Sequence, residues 1–118
     1  MKSVGGAIVR VKKINGKWEF IPNDTYNRRL DANTSIPFNW DEKIKGSDHA
    51  IGTHSNCSGG ITPWGTILSC EENYDQFAGE TKYDDHGNPY HVDSDYGWDK
   101  FYAYPPEHYG WVVEVDPF

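Results

Sequence analysis

Apolar residues in this chain never recur at helical spacing for long enough to specify a good helix; they fall into short β-prone runs cut by glycine and proline. That punctuation confines the fold to the all-β class of sandwiches, barrels and propellers. The stretch GGAIVRVKKINGKWEF (residues 5–20) opens on a hairpin pattern. Residues 7–13 alternate small or apolar with basic side chains, Asn15-Gly16 is the strongest two-residue turn signal, and residues 17–21 alternate again. A second hairpin is predicted around Thr62-Pro63-Trp64-Gly65, a turn followed by the β-prone residues 66–70. Residues 111–115 form one further clear strand, and His86-Gly87-Asn88 marks a turn in a polar, aromatic segment. Residues 21–50, with Pro22, Pro37 and many Asn, Asp and Ser residues, read as loop with at most short strands.

Length and charge narrow the function. With 118 residues, the chain is one small domain. Eleven basic residues against eighteen acidic ones give a formal charge of -7, the wrong sign for gripping phosphate backbones, so no nucleic-acid partner is expected. The acidic excess is strongest after Cys70, which suits hard cations, although a solvated acidic surface is the commoner reason for such a bias. No apolar run approaches the roughly 18 residues of a membrane span. The opening Met-Lys-Ser-Val-Gly-Gly has no signal-peptide character. Aromatic residues make up 15% of the chain, and in a small β domain most of those rings are expected in the core and in cross-strand pairs.

Reactive side chains concentrate in NCSGGITPWGTILSCEEN, residues 56–73. Pairing across the Pro-Trp-Gly turn brings Cys57 roughly opposite Cys70 and Glu71. On a regular strand Leu68, Cys70 and Glu72 share one face while Ile67, Ser69 and Glu71 share the other, so the two neighbouring carboxylates do not both enter one site. Three chemistries fit. The cysteines could form a cross-strand disulfide. A thiolate and a carboxylate could hold a transition metal. A nucleophilic cysteine could use His49 or His54 as its base.

The same stretch closely resembles the Asn-Cys-x-x-Gly-x-Thr-Pro-Trp-Gly-Thr-x-Leu-Thr-x-Glu-Glu-Asn signature of the PhoX-type alkaline phosphatases, with Ser69 in place of the usual Thr. GGAIVRVKKINGKWEF, YNRRLDANT, YGWDK and HYGWVVEVDPF resemble further family segments in family order, from about residue 5 to the last residue. The resemblance implies a partial β-propeller over residues 1–118, part of a secreted, periplasmic or extracellular phosphatase that hydrolyses phosphate monoesters with iron and calcium. It implies Cys57 and Glu72 as iron ligands, with Glu71 supporting them, and Arg28 and Arg29 as phosphate contacts. It also makes a disulfide less attractive, because the bond would consume the thiol that the metal requires.

A propeller blade takes roughly 40–45 residues and a ring at least about four blades, so this chain supplies fewer than three. It is therefore expected to be a fragment or a reduced relative, inactive alone, with open edges that favour self-association. Asp93, Asp95 and Asp99 alternate like a calcium loop but lack the glycine and terminal glutamate of an EF-hand, and an exposed loop is expected there. The competing function is a non-catalytic binding module whose Trp18, Trp40, Trp98 and Trp111 stack on sugar rings or another partner.

Overall fold

The two turns that anchor the sequence reading both form. In the computed structural model, which describes residues 4–118, Asn15 and Gly16 take φ of 49° and 83°. Two successive left-handed residues give the turn whose twist matches antiparallel strands. The first three residues, part of the amino-terminal stretch without signal character, lie outside the described range.

The strands are β1 (Gly6–Ile8), β2 (Val11–Ile14), β3 (Lys17–Phe20), β4 (Arg28–Leu30), β5 (Ser35–Pro37), β6 (His49–Ile51), β7 (Asn56–Ile61), β8 (Ile67–Glu71), β9 (Glu80–Tyr83), β10 (Pro89–Val92) and β11 (Val112–Val115). A single four-residue helix, α1 (Asp75–Ala78), and a 3₁₀ turn (Pro106–His108) are the helical structure among the described residues. All pairing is antiparallel. β1 pairs with β4, β2 with β3, β5 with β6 and β9 with β10, while β7, β8 and β11 form a three-stranded sheet with β8 in the centre. The all-β expectation holds, as an open, partial-propeller arrangement of short sheets and irregular loops. No helix among the described residues is long and apolar enough to cross a membrane.

One local expectation needed correction, and one, the turn at His86-Gly87-Asn88, forms as part of a longer element. The run over residues 7–13 is not one strand. The Asn27 side chain accepts the Arg10 amide at 2.6 Å and donates to the Ile21 carbonyl at 2.9 Å, which divides β1 from β2 and turns β1 toward β4. The polar segment after residue 79 holds a hairpin, β9–β10. Its turn is closed by Asp84, whose Oδ1 accepts the amides of His86 and Asn88, both at 2.8 Å, with Gly87 at φ 79°.

The core is small and ring-built. Ala78, Trp98 and Tyr109 are buried together, with Tyr74, Phe77 and Tyr104 packed around them. At its centre lies His54, fully buried, its ring stacked on Phe77 and meeting Trp98 and Tyr109 edge-on at centroid distances of 4.6 and 4.7 Å. The expectation that most rings are core is overturned: Trp98 is buried, whereas Trp18, Trp40, Trp64 and Trp111 are exposed, as are most of the tyrosine and phenylalanine rings, among them Phe20, Phe101, Tyr83 and Tyr96. The sheets are too short and too few-stranded to cover large rings on both faces, so burial goes to the one place where α1, the 3₁₀ turn and the loops between them converge.

Candidate functional site

The reactive stretch folds as the hairpin β7–β8, and its composition has a local explanation. The Thr62 amide donates to the Thr66 carbonyl at 2.9 Å, the Thr66 amide donates to the Thr62 hydroxyl at 3.0 Å, the two hydroxyls meet at 2.7 Å, and the Trp64 indole donates to Glu114 of β11 at 2.7 Å. Glu114 also accepts from the Thr66 hydroxyl, and these bonds hold its carboxyl below the usual range. Gly59 is required by approach: a Cβ there would lie 2.2 Å from the Leu68 carbonyl oxygen.

At the open end, three steps along β7 match two along β8. Asn56 sits opposite Glu71 and Gly59 opposite Ser69, so Cys57 and Ser58 share the position facing Cys70. This bulge takes Cys57 out of the regular pleat. Cys57 is exposed, Cys70 is half-buried, and both are free thiols. The end is pinned by the Glu72 amide donating to the Ser55 carbonyl at 3.2 Å, with Ser55 and Asn73 both at φ 48°. Glu72 follows the last residue of β8, so the strand's alternation no longer dictates its direction, and it is exposed.

Glu71 has a different task. One carboxylate oxygen accepts the His54 amide at 2.7 Å, and the other accepts the amides of Gly110 and Trp111 at 2.8 and 3.3 Å. It thus ties together the chain entering β7, the end of β8 and the chain entering β11. Cys57, Glu71 and Glu72 do not gather as a three-ligand group. Among the described residues the one such group is His91, Asp93 and Asp99, whose ligand atoms lie within 4.8 Å of one another. Of the three aspartates alternating in sequence, Asp93 and Asp99 meet there, joined by His91 rather than Asp95. The group is already engaged internally. Asp99 accepts from His91, the Ser94 hydroxyl and the Ser94 amide, and Asp93 pairs with Lys100 at 3.1 Å. Burial opposes ionisation of Asp99, but the bonds from Ser94 and His91 prevail and hold its pKa at about 2. Sequence reasoning missed His91, because its place opposite Thr81 is a matter of β9–β10 register.

The histidines offered as bases do not serve Cys57. His49 bonds the carboxylate of Asp48 at 2.7 Å. Neither ring nitrogen of His54 has a polar partner, and burial pushes its pKa down to about 4, so it stays neutral. Arg28 is half-buried, and its guanidinium donates to the carbonyls of Tyr26 (3.2 Å) and Asp116. Arg29, the next residue on β4, is exposed. Two apolar clefts flank the three-stranded sheet. One of about 420 Å³ is lined by Trp40, Trp111, Leu68 and Val112 among others, and one of about 230 Å³ by Leu30, Ile67, Ser69 and Val113. Neither includes Cys57 or Glu72.

Comparison with known proteins adds an independent line. The profile of the family described as "Alkaline phosphatase PhoX" matches residues 1–118. A solved structure, Pseudomonas fluorescens PhoX in complex with vanadate, a transition state analogue, superposes with a TM-score of 0.68 at 30% sequence identity. The match covers 94% of this chain and 23% of that one. No curated protein matches the chain.

Proposed function

Because the chain belongs to the alkaline phosphatase PhoX family, we propose that it carries part of the metal- and phosphate-handling surface of a phosphate-monoester hydrolase of periplasmic or extracellular location. The observation that supports this most is the bulge in β7. It leaves Cys57 an exposed free thiol at the same hairpin end as exposed Glu72.

The donor set fits a transition metal. A thiolate and a carboxylate together suit iron better than calcium, whose ligands are oxygens. Cys57 and Glu72 are the residues that would hold iron, and Glu71 positions the end of β8 between them through its bonds to three backbone amides. Bound metal would supply positive charge to the phosphate oxygens. The chain's own contribution to phosphate is the pair on β4. Arg29, an exposed residue, is the phosphate contact on this reading, and Arg28 donates to the Asp116 carbonyl. Calcium finds oxygen donors at Asp93 and Asp99, but these already hold Lys100, Ser94 and His91. We therefore assign calcium no residues of this chain.

Two iron ligands do not fix a metal in number and geometry, so the chain alone is inactive on this reading. The test is iron binding to the purified chain, followed by thiolate-to-iron absorption. A band lost in Cys57→Ser and weakened in Glu72→Gln supports the assignment. Unchanged binding in both variants, or no iron binding at all, removes it.

A second reading, an aromatic binding module, is favoured by one observation: exposed Trp40 and Trp111 both line the larger cleft. Burial of Trp98 removes it from that role. Titration with oligosaccharides while following tryptophan fluorescence distinguishes the two, since the phosphatase reading expects no response.

A further inference from the structure

Two of the small sheets stand apart in charge. The β2–β3 ribbon, with Arg10 just before it, carries Arg10, Lys12, Lys13 and Lys17 against one carboxylate, Glu19, while β9–β10, its turn and its immediate continuation carry Glu80, Asp84, Asp85 and Asp93, of which Glu80 pairs with Lys82 and Asp93 with Lys100. Both ribbons are two-stranded and leave large apolar side chains in water. Trp18 is 70% exposed, Phe20 57%, Tyr83 62% and Tyr90 49%. β2 and β3 pack chiefly on each other. Register places Val11 opposite Phe20 and Lys13 opposite Trp18 on one face of that ribbon, and Lys12 opposite Glu19 and Ile14 opposite Lys17 on the other. An isolated two-stranded ribbon is marginal in water and gains most from a third strand or a packed face. The molecule is elongated, 66 × 30 × 21 Å, so complementary surfaces need not meet within one copy.

We propose that the chain associates with a second copy of itself, head to tail, with the basic β2–β3 ribbon of one copy lying against the acidic β9–β10 ribbon of the next. The partner surface is argued from charge: the same chain carries a basic ribbon and an acidic one, and their opposite charges align them across the contact. Such a contact is heterologous, using different patches on the two copies, and so builds rings or open chains rather than stopping at a twofold dimer. It stands independently of the phosphatase reading.

Sedimentation velocity over a concentration series, in low and high salt, tests it with the wild-type chain alone. Mass should rise with concentration at low salt and fall back toward monomer at high salt, where exposed charges are screened within a few ångströms. Two reversal variants extend the test: Lys12→Glu/Lys13→Glu/Lys17→Glu, and Asp85→Lys/Asp93→Lys, which spare the Asp84 that closes the turn. Each should self-associate at least tenfold more weakly, and mixing the two should restore association, because each ribbon then again meets its opposite charge. Three results overturn the proposal: a monomer at every concentration in low salt, failure of the mixture to associate, or salt-insensitive association. If salt-insensitive association is abolished by Val112→Lys, the contact belongs to the free edge of β11. The assay reads mass and not metal or turnover, so a negative result leaves the assignment of Cys57 and Glu72 where it stood.

Discussion

Replacing Glu71 should cost far more stability than replacing its neighbour Glu72, although the two look alike in the sequence. The Glu71 carboxylate accepts three backbone amides, two of them at 2.7 and 2.8 Å. A hydrogen bond to a charged group contributes about 1.5–3 kcal/mol. The sum overstates the loss, because Gly110 and Trp111 are exposed and water can satisfy their amides in a variant. His54 is fully buried, so its amide is the one left without a partner. The expected cost of Glu71→Ala is therefore about 2–4 kcal/mol. Glu71→Gln keeps one acceptor oxygen and should lose about half of that. Glu72→Gln removes an exposed carboxylate from the surface and should stay within about 0.5 kcal/mol. Urea unfolding followed by tryptophan fluorescence measures all three, with shifts in midpoint at constant slope reporting stability. Equal costs for Glu71→Ala and Glu72→Gln, or a Glu71→Ala cost below about 0.5 kcal/mol, would refute the tie between β7, β8 and β11 drawn from this carboxylate.

The remaining predictions concern pH, backbone and chemistry. His54 has its pKa lowered from 6.5 to about 4 by burial, so the unfolded chain binds the extra proton first. Stability should be full above pH 6.5, fall as pH drops from 6.5 toward 4 by about 3 kcal/mol in all, and lose that dependence in His54→Phe; a Tm flat across this window in the wild type contradicts the buried neutral ring. Gly52 holds φ 88° and a Cβ there would come within 2.5 Å of the Ala32 carbonyl oxygen, so Gly52→Ala should cost about 3 kcal/mol or more by the same urea assay, and a near-neutral result would mean that this approach is looser than described. Alkylation and mass spectrometry without reductant should find Cys57 fully reactive, and a quantitative Cys57–Cys70 disulfide would remove the iron assignment. A chromogenic phosphomonoester should not be turned over by this chain with iron and calcium supplied, whereas metal-dependent turnover abolished by Cys57→Ala would show that the chain completes a site unaided.

The sequence alone determined the all-β class and the turns, because these depend on residues adjacent in the chain. Asn15-Gly16 and Thr62-Pro63-Trp64-Gly65 reverse the chain through their own backbone preferences, whatever packs around them. It also determined which stretch holds the reactive groups, since a thiol and two carboxylates lie within one hairpin stretch of the chain. Tertiary structure decided what those groups do. Glu71 and Glu72 are the same residue in adjacent positions, and no local rule says that Gly110 and Trp111, about forty residues later, bring their amides to one and not the other. The bulge at Cys57 is likewise a matter of registry between two strands. Long-range contacts also chose His54 as the centre of the ring cluster and left four of five tryptophans in water. Burial follows where α1 and the loops meet, and a side chain's hydrophobicity cannot specify that meeting place.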